Sequence, residues 1–286
     1  MSDKDTLFVF CADTHCGSSL GLMTPEPFQL HDGGEYYPSP LQRMIWNVWE
    51  EGWNRVAELR KGKRLVVIHN GDATEGMHHQ TTQVISGRVE EHEDLHITCM
   101  DYGLRKAKFE PKDGDKLYYV SGTEEHSGNG SRSEERIAND LDGVVRFSDN
   151  RATWDHIVGE VNGKVIDVSH HGGTAGNSIL TDNSPLYSRL KVVYTDCLEH
   201  DQKIPRLWVR AHLHRYVHTV HEGAKGIIDG FILPSFQCRT GYVYRRFNNR
   251  KKPSDIGMVL ATISKNGDLS YETVIQPIEQ DSVVRI

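Results

Sequence analysis

Aspartate and histidine residues occur in short groups at widely separated points of this 286-residue chain. Asp13-Thr14-His15 and His212-Leu213-His214 each hold two such residues one position apart, and Asn70-Gly71-Asp72 lies between them in the sequence. Each group follows an apolar run of strand length, such as Leu65 to Ile68. In an extended segment, positions i and i+2 project to the same side, so both members of a pair can bind one metal ion. The spacing predicts two close divalent cations, an arrangement typical of phosphate-ester hydrolysis.

Two further groups complete the set. Gly122-Thr123-Glu124-Glu125-His126 follows a third strand-like run, and His170-His171-Gly172 follows a fourth. Asp72 is the natural bridging carboxylate, because the glycine before it permits close approach. Imidazole and carboxylate ligands together suit Mn, Fe, Zn or Ni better than Ca or Mg. We therefore expect two divalent metal ions, with manganese favoured.

The alternative interpretation is that each histidine is a surface or capping residue. For a single D-x-H or H-x-H pattern this interpretation is the better one, because such patterns are short. Several groups in order, each at a predicted strand end, favour the metal site instead.

The elements that must position these groups are predicted from periodicity and turn signals. Strands are predicted over 6–12, 63–69, 116–121, 156–161, 164–169, 206–211, 216–221, 226–233, 257–264 and 269–275, and helices over 39–59, 89–108, 133–141 and 184–199. Strand–helix alternation early and hairpins late predict an α+β fold with two packed sheets flanked by helices. We expect residues 1–286 to form a single large domain with an active-site loop insertion at about 17–40.

Composition narrows the class of protein. The net charge of −7 argues against a protein that coats nucleic acid by bulk electrostatics, although it leaves local cutting of a strand open. Five cysteines without CxxC spacing indicate reduced thiols and a cytoplasmic setting, and argue against a thiolate zinc site. Because the longest apolar stretches are strand-sized, no membrane partner is expected. The oligomeric state is not indicated.

The ordered groups resemble the motifs of the calcineurin-like metallophosphoesterase family, whose pattern is D-x-H, G-D-x-x-D/E, G-N-H-D/E, a histidine before glycine, and G-H-x-H. The corresponding segments here are Asp13-Thr14-His15, Gly71-Asp72-Ala73-Thr74-Glu75, Gly122-Thr123-Glu124-Glu125-His126, His171-Gly172 and Ala211-His212-Leu213-His214. The resemblance spans residues 6 to about 235 and implies a four-layered sandwich of two mixed sheets with helices outside. The third motif, together with the long loop after the first, also resembles phosphoesterases often found in bacteriophage genomes.

The resemblance also implies ligand sets. It assigns one metal ion to Asp13, His15, Asp72 and His214, and the second to Asp72, His171 and His212. His170 competes with His171, which is preferred here because the family's ligand directly precedes a glycine. Glu75 matches the acidic position of the second motif and is expected to support the ligands.

The third motif departs from the family pattern. Thr123 stands where the family has an asparagine ligand, and Glu124 stands at the catalytic histidine position. A threonine hydroxyl is a poor metal ligand, so the second metal ion is expected to bind more weakly or through water. His126 is the expected replacement, either as a catalytic acid that protonates the leaving oxygen or as the missing ligand; the acid role is preferred, because histidine titrates near neutral pH.

A helix is predicted to begin beside the third motif. Its free amides favour an anion, and Arg132 or Arg136 is a candidate to bind a phosphate oxygen of the substrate. Ordinary capping by Ser131 or Ser133 is the competing interpretation.

The expected function is hydrolysis of phosphate esters by attack of a metal-bound hydroxide at a dinuclear site, with phosphodiesters as the first substrate class and phosphomonoesters as the second. The substrate is a phosphate ester, with nucleotides or nucleic acid as candidates. A nuclease is one alternative, because aromatic and basic residues alternate over 242–252 as in single-stranded nucleic-acid tracks. A solvated loop between strands is the preferred interpretation of that segment, since runs of charge are usually solvated. The other alternative is a non-catalytic metal-binding scaffold, which Thr123 and Glu124 favour.

Overall fold

The structure is a computed structural model that describes residues 4–78, 81–175, 183–241 and 254–278. Its strands are β1 (Thr6–Cys11), β2 (Phe28–Gln29), β3 (Glu35–Tyr36), β4 (Arg64–Asn70), β5 (Lys116–Val120), β6 (Thr153–Trp154), β7 (Ile157–Val161), β8 (Lys164–Val168), β9 (Pro205–Arg210), β10 (Val217–Gly223), β11 (Gly226–Ile232), β12 (Asp255–Ile263) and β13 (Leu269–Pro277). Its helices are α1 (Pro40–Arg60), α2 (Val89–Lys106), α3 (Glu124–Ser127), α4 (Arg132–Asp140) and α5 (Ser184–Glu199), with a 3-10 turn over Pro111–Asp113.

Two mixed sheets contain most of the strands. The first has the order β13-β12-β1-β4-β5-β6, and the second has the order β10-β11-β9-β8-β7. Strands β1, β4 and β5 run parallel in the first sheet, and β8 and β9 run parallel in the second. Parallel strands end at the same edge of their sheet, so the residues that follow β1, β4 and β5 lie close together, as do those that follow β8 and β9.

Three hydrophobic clusters separate four layers. In the first cluster, α1 and α2 pack on one face of the six-stranded sheet through residues such as Trp49 and Val67. The second cluster, which includes Phe10 and Val209, fills the space between the two sheets. In the third cluster, Leu190 of α5 packs on the outer face of the five-stranded sheet. The order helices, sheet, sheet, helix confirms the predicted α+β class with two mixed sheets flanked by helices.

Local sequence explains why these elements form where they do. Every residue of β1 is buried, and alternate side chains contribute to the first and second clusters, as expected for a strand covered on both faces. Helix α1 begins with a capping box, in which Ser39 accepts a hydrogen bond from the Gln42 amide and Gln42 accepts one from the Ser39 amide. Asn162 and Gly163 both have positive φ, which matches the predicted tight hairpin turn between β7 and β8.

The predicted strands and helices are all present, with bounds within a few residues. Sequence patterns missed the two-residue strands β2, β3 and β6 and the four-residue helix α3, which are too short to show a period. Strands β2 and β3 form a small hairpin inside the loop predicted at about 17–40. The basic and aromatic segment over 242–252 lies outside the described residues. No helix in the described ranges is long and apolar enough to cross a bilayer.

Candidate metal centre

The predicted ligands all follow the carboxyl ends of parallel strands. Asp13 and His15 follow β1, and Asp72 follows β4. His170 and His171 follow β8, and the two histidines of the last motif follow β9. Because the two sheets face each other across the second hydrophobic cluster, both sets of strand ends deliver side chains to one place.

The backbone at these positions differs from the expected extended conformation. Strand β1 ends at Cys11 and β9 at Arg210, before the motifs begin. Five of the twelve non-glycine residues with positive φ in the described ranges are predicted ligands: Asp13, His15, Asp72, His212 and His214. The premise that the pairs lie in extended chain is therefore wrong, because each pair lies in a turn beyond its strand. Left-handed backbone at non-glycine residues is costly and is concentrated at functional sites.

Asp13, His15 and His214 form what we call the first donor group. One potential ligand atom from each residue lies within 4.8 Å of the others. His214 Nε2 lies 3.2 Å from Asp13 Oδ1 and 3.2 Å from His15 Nε2. Asp13 and His15 are buried almost completely, so water competes little for their ligand atoms.

His170, His171 and His212 form the second donor group, which meets the same 4.8 Å limit. His170 is buried, whereas His171 and His212 are exposed. The Nδ1 atom of His170 donates a hydrogen bond to the Asn70 carbonyl at 2.6 Å, which leaves its Nε2 atom facing Asp72. Both His170 and His171, the two candidate ligands of the His170-His171-Gly172 segment, thus lie in this group. His170 is the one that contacts Asp72 directly.

Asp72 links the two groups. Its Oδ2 atom lies 3.1 Å from His170 Nε2, and Asp13, Asp72 and His170 together form a further group of mutually close, buried ligand atoms. Two glycines make this approach possible. A Cβ atom on Gly71 would lie 2.3 Å from the His170 ring, and one on Gly122 would lie 2.3 Å from Asp72 Oδ1.

The donor set fits a divalent cation. Asp13 Oδ1 is buried and accepts no hydrogen bond from the described residues, although His214 Nε2 lies 3.2 Å away. Burial by itself would raise the pKa of Asp72, but His170 and His212 hold it well below its ordinary value. Burial would likewise lower the pKa of His170, but the carboxylates of Asp72 and Asp13 raise it to about 10. A proton on His170 therefore compensates the buried carboxylates at neutral pH, and a cation binding there would displace it.

Glu75 supports the first donor group. Its Oε2 atom lies 3.1 Å from His15 Nδ1, so the carboxylate orients the imidazole with Nε2 directed at the group. Burial would lower the pKa of His15, but Glu75 raises it. Glu75 is fixed in turn by Gln237, whose side-chain amide donates to Oε2 at 2.6 Å. Sequence reasoning missed Gln237, since nothing in its local pattern marks a contact 162 positions away.

His126 lies on the side of the first donor group. Its ring centre is 4.5 Å from that of His15, and its Nδ1 atom donates to the Glu75 carbonyl at 2.8 Å. Burial and the nearby His15 lower the pKa of His126 to about 4, so its ring is neutral at neutral pH with a lone pair on Nε2. The ring of His78 packs edge-on against His126, and its Nε2 atom lies 3.4 Å from Glu75 Oε1.

Thr123 lies on the side of the second donor group. Its hydroxyl oxygen is 3.2 Å from Asp72 Oδ2 and 3.3 Å from His212 Nδ1, and its amide donates to Asp72 Oδ1 at 2.6 Å. Thr123 therefore occupies the place at which the family resemblance implies an asparagine. Glu124 is exposed at the start of α3.

At the anion site predicted beside α4, neither candidate arginine is seen to contact the donor groups among the described residues. Arg132 is exposed in the first turn of the helix, and no described contact joins it to the donor groups. Arg136 is engaged by Glu93 and Asp94 of α2, so it ties the two helices together. Ser131 is the N-cap residue but has φ of 56° and makes no side-chain capping hydrogen bond, so it does not provide the capping of the competing interpretation.

Comparison with known proteins gives a fold likeness only. No protein-family model matches the chain, and no curated protein matches it. Among solved structures, a Thermotoga maritima protein covers 96% of this chain and 99% of its own at 13% identity and a TM-score of 0.37. A Streptococcus pneumoniae protein described as a predicted phosphoesterase covers 96% and 99% at 11% identity and a TM-score of 0.31. The sulfate thiohydrolase SoxB of Thermus thermophilus covers 97% of this chain and 57% of its own at 12% identity and a TM-score of 0.36. The assignment of chemistry therefore depends on this chain's own side chains.

Proposed function

We propose that this protein is a metal-dependent phosphoesterase that hydrolyses phosphate esters, with diesters as the first substrate class, at a site for two divalent cations. The observation that carries the proposal is the position of Asp72. Its carboxylate lies with Asp13 and His170 in one buried group, and these two residues belong to the first and second donor groups. A carboxylate shared between two ligand sets is what a dinuclear hydrolytic site requires.

The proposed ligand sets follow from the contacts. They are Asp13, His15, Asp72 and His214 for the first cation, and Asp72, His170 and His212 for the second. We prefer His170 to His171 because His170 is buried and its Nε2 atom faces Asp72, whereas His171 is exposed beside it. When bound, divalent cations supply activation of water and neutralise charge on the phosphoryl oxygens. Nitrogen and oxygen donors favour Mn, with Fe, Zn and Ni as alternatives.

The protein's own residues supply orientation and proton transfer. Glu75 holds His15 in the tautomer that leaves Nε2 available. His126 is the proposed proton-exchange group, because its Nδ1–H is committed to the Glu75 carbonyl, so its neutral Nε2 is left to take up the proton that the attacking water loses and to pass it to the leaving oxygen. Its place beside His15 does not suit the alternative in which it completes the second donor group.

The test compares two aryl esters in the presence of added Mn²⁺. We expect bis-aryl phosphate to be hydrolysed faster than the mono-aryl ester, and Asp72→Asn to reduce turnover by on the order of a thousandfold. Asp155→Asn is the matched control, since it neutralises an exposed carboxylate of the ion pair with Arg146. Full turnover in Asp72→Asn would contradict the proposal.

A non-catalytic metal-binding protein is the second candidate. The observation that favours it is the threonine hydroxyl beside Asp72 and His212, which offers a weak ligand to the second cation. Metal content distinguishes the two candidates. About one metal ion per chain with no turnover of any ester would support the scaffold, whereas two with turnover would exclude it. Cleavage of DNA or RNA alongside the small esters would extend the proposal to a nuclease.

A further inference from the structure

A buried hydrogen-bonded chain lies directly behind the two ligand-bearing turns. Thr14 stands between Asp13 and His15 and is fully buried. Its hydroxyl oxygen is 2.8 Å from the Ala73 carbonyl oxygen, 2.9 Å from His96 Nδ1 and 3.3 Å from His69 Nε2. None of these contacts is used by the ligand assignment above.

The chemistry of a hydroxyl fixes the direction of these bonds. A threonine hydroxyl has one hydrogen and two lone pairs. The Ala73 carbonyl accepts only, so the hydroxyl hydrogen goes to it, and the lone pairs then accept from His96 Nδ1–H and His69 Nε2–H. The proton on each ring is thus assigned from the network. With its proton on Nδ1, His96 accepts at Nε2 from the Tyr119 hydroxyl, 2.9 Å away.

This hydrogen-bonded network joins the turn that holds Asp13 to the turn that holds Asp72. Backbone bonds already run between them, from Asp13 N to the Gly71 carbonyl at 2.9 Å and from His15 N to the Asp72 carbonyl at 3.1 Å. Thr14 adds a side-chain bond to Ala73, the residue after Asp72. His96 and Tyr119 belong to α2 and β5, so the network also fixes the turns against the helix layer and the neighbouring strand.

The backbone conformation on both sides of Thr14 indicates what its side-chain hydrogen bonds stabilise. Asp13, His15 and Asp72 have φ of 50°, 43° and 53°. Non-glycine residues keep such conformations only where the surroundings over-determine them. A hydroxyl with all three of its hydrogen-bonding positions satisfied, in a site closed to water, supplies that constraint.

We propose that Thr14 is a positioning residue of the metal centre, held by His96 and Tyr119, which sets the distance between the Asp13–His15 turn and the Asp72 turn. The inference rests on the proposed function for its ligand set, but its readout is cation binding. Thr14 belongs to neither of the proposed ligand sets.

The experiment compares Thr14→Val with Thr14→Ser. Valine keeps the branched shape but leaves two imidazole N–H groups without their acceptor and removes one donor to the Ala73 carbonyl, which keeps the Cys16 amide at 3.0 Å, whereas serine keeps the hydroxyl. Titration calorimetry with Mn²⁺ alone should show affinity about 10–100-fold lower in Thr14→Val and close to wild type in Thr14→Ser. Tyr119→Phe removes the hydroxyl at the outer end of the hydrogen-bonded network and should lower the affinity by about two- to tenfold.

Thermal unfolding in a chelator separates positioning from loss of fold. Measurements are made at a temperature at which each variant is folded, and if Thr14→Val does not fold, Thr14→Ser and Tyr119→Phe decide the matter. Wild-type affinity in Tyr119→Phe and in any folded Thr14→Val would overturn the proposal, as would an equal loss in Thr14→Ser. If wild-type protein binds Mn²⁺ but turns over no ester, the proposed function fails while the positioning role stands.

Discussion

The two donor groups are built from similar residues but in different surroundings. In the first, Asp13 and His15 are buried, and Glu75 and Gln237 form a hydrogen-bonded support behind His15. In the second, only His170 is buried, and the side chain of His212 is 45% exposed. The first group is thus held in place before a cation arrives, whereas part of the second must be ordered by it.

This difference has an energetic consequence. A preorganised ligand set loses little side-chain entropy on binding, whereas exposed imidazoles lose rotamer freedom and must shed water. The second group also has the Thr123 hydroxyl in place of an amide oxygen. We therefore expect one tight and one weak cation site, joined by Asp72.

The largest expected effect on metal binding comes from two separate variants, each of which removes one ligand from one of the two donor groups. His15→Gln should lower the affinity of the tight site by on the order of a hundredfold or more, because it removes a buried ligand from a preformed set. His212→Gln should abolish only the weak site and leave about one tightly bound ion per chain. Elemental analysis after dialysis against defined Mn²⁺ concentrations measures both.

His200→Gln is the matched control for these variants, since the ring of this exposed histidine bonds the carbonyl of Asp196, in its own helix, at 2.9 Å. If His15→Gln and His212→Gln lost the same ion with the same affinity, the two groups would not be separate sites.

Sequence patterns predicted the parts of this centre that local chemistry determines. Buried strands, turn residues and the order of the ligand groups place Asp13, Asp72 and His214 at strand ends, and their convergence then follows from parallel strands. The positive φ of the ligands was not predictable, because sequence spacing alone suggested extended chain. Residues that act from other elements, such as Gln237 and His96, carry no local signal, since their partners lie far away in the sequence.

A second prediction concerns the support of the first group. Glu75→Gln keeps the shape of the side chain but removes the charge that orients His15 and raises its pKa. Metal affinity of the tight site should fall by about 10–100-fold, while the weak site changes little. Glu58→Gln, on the exposed face of α1 beside Arg55, is the control. An equal loss at both sites would mean that Glu75 acts on the whole centre rather than on His15.

The smallest expected effect is a gain. Thr123→Asn places an amide oxygen, a better ligand than a hydroxyl, beside Asp72 and His212. The weak site should tighten by up to about tenfold, with the tight site unchanged, and turnover at low Mn²⁺ should rise accordingly. Thr123→Val is the converse variant, because it keeps the branched shape without the hydroxyl and should weaken the same site. If Thr123→Asn bound the second ion no better than wild type, the exposure of the ligand His212 would be the cause of its weakness, since the residue at position 123 would then make no difference.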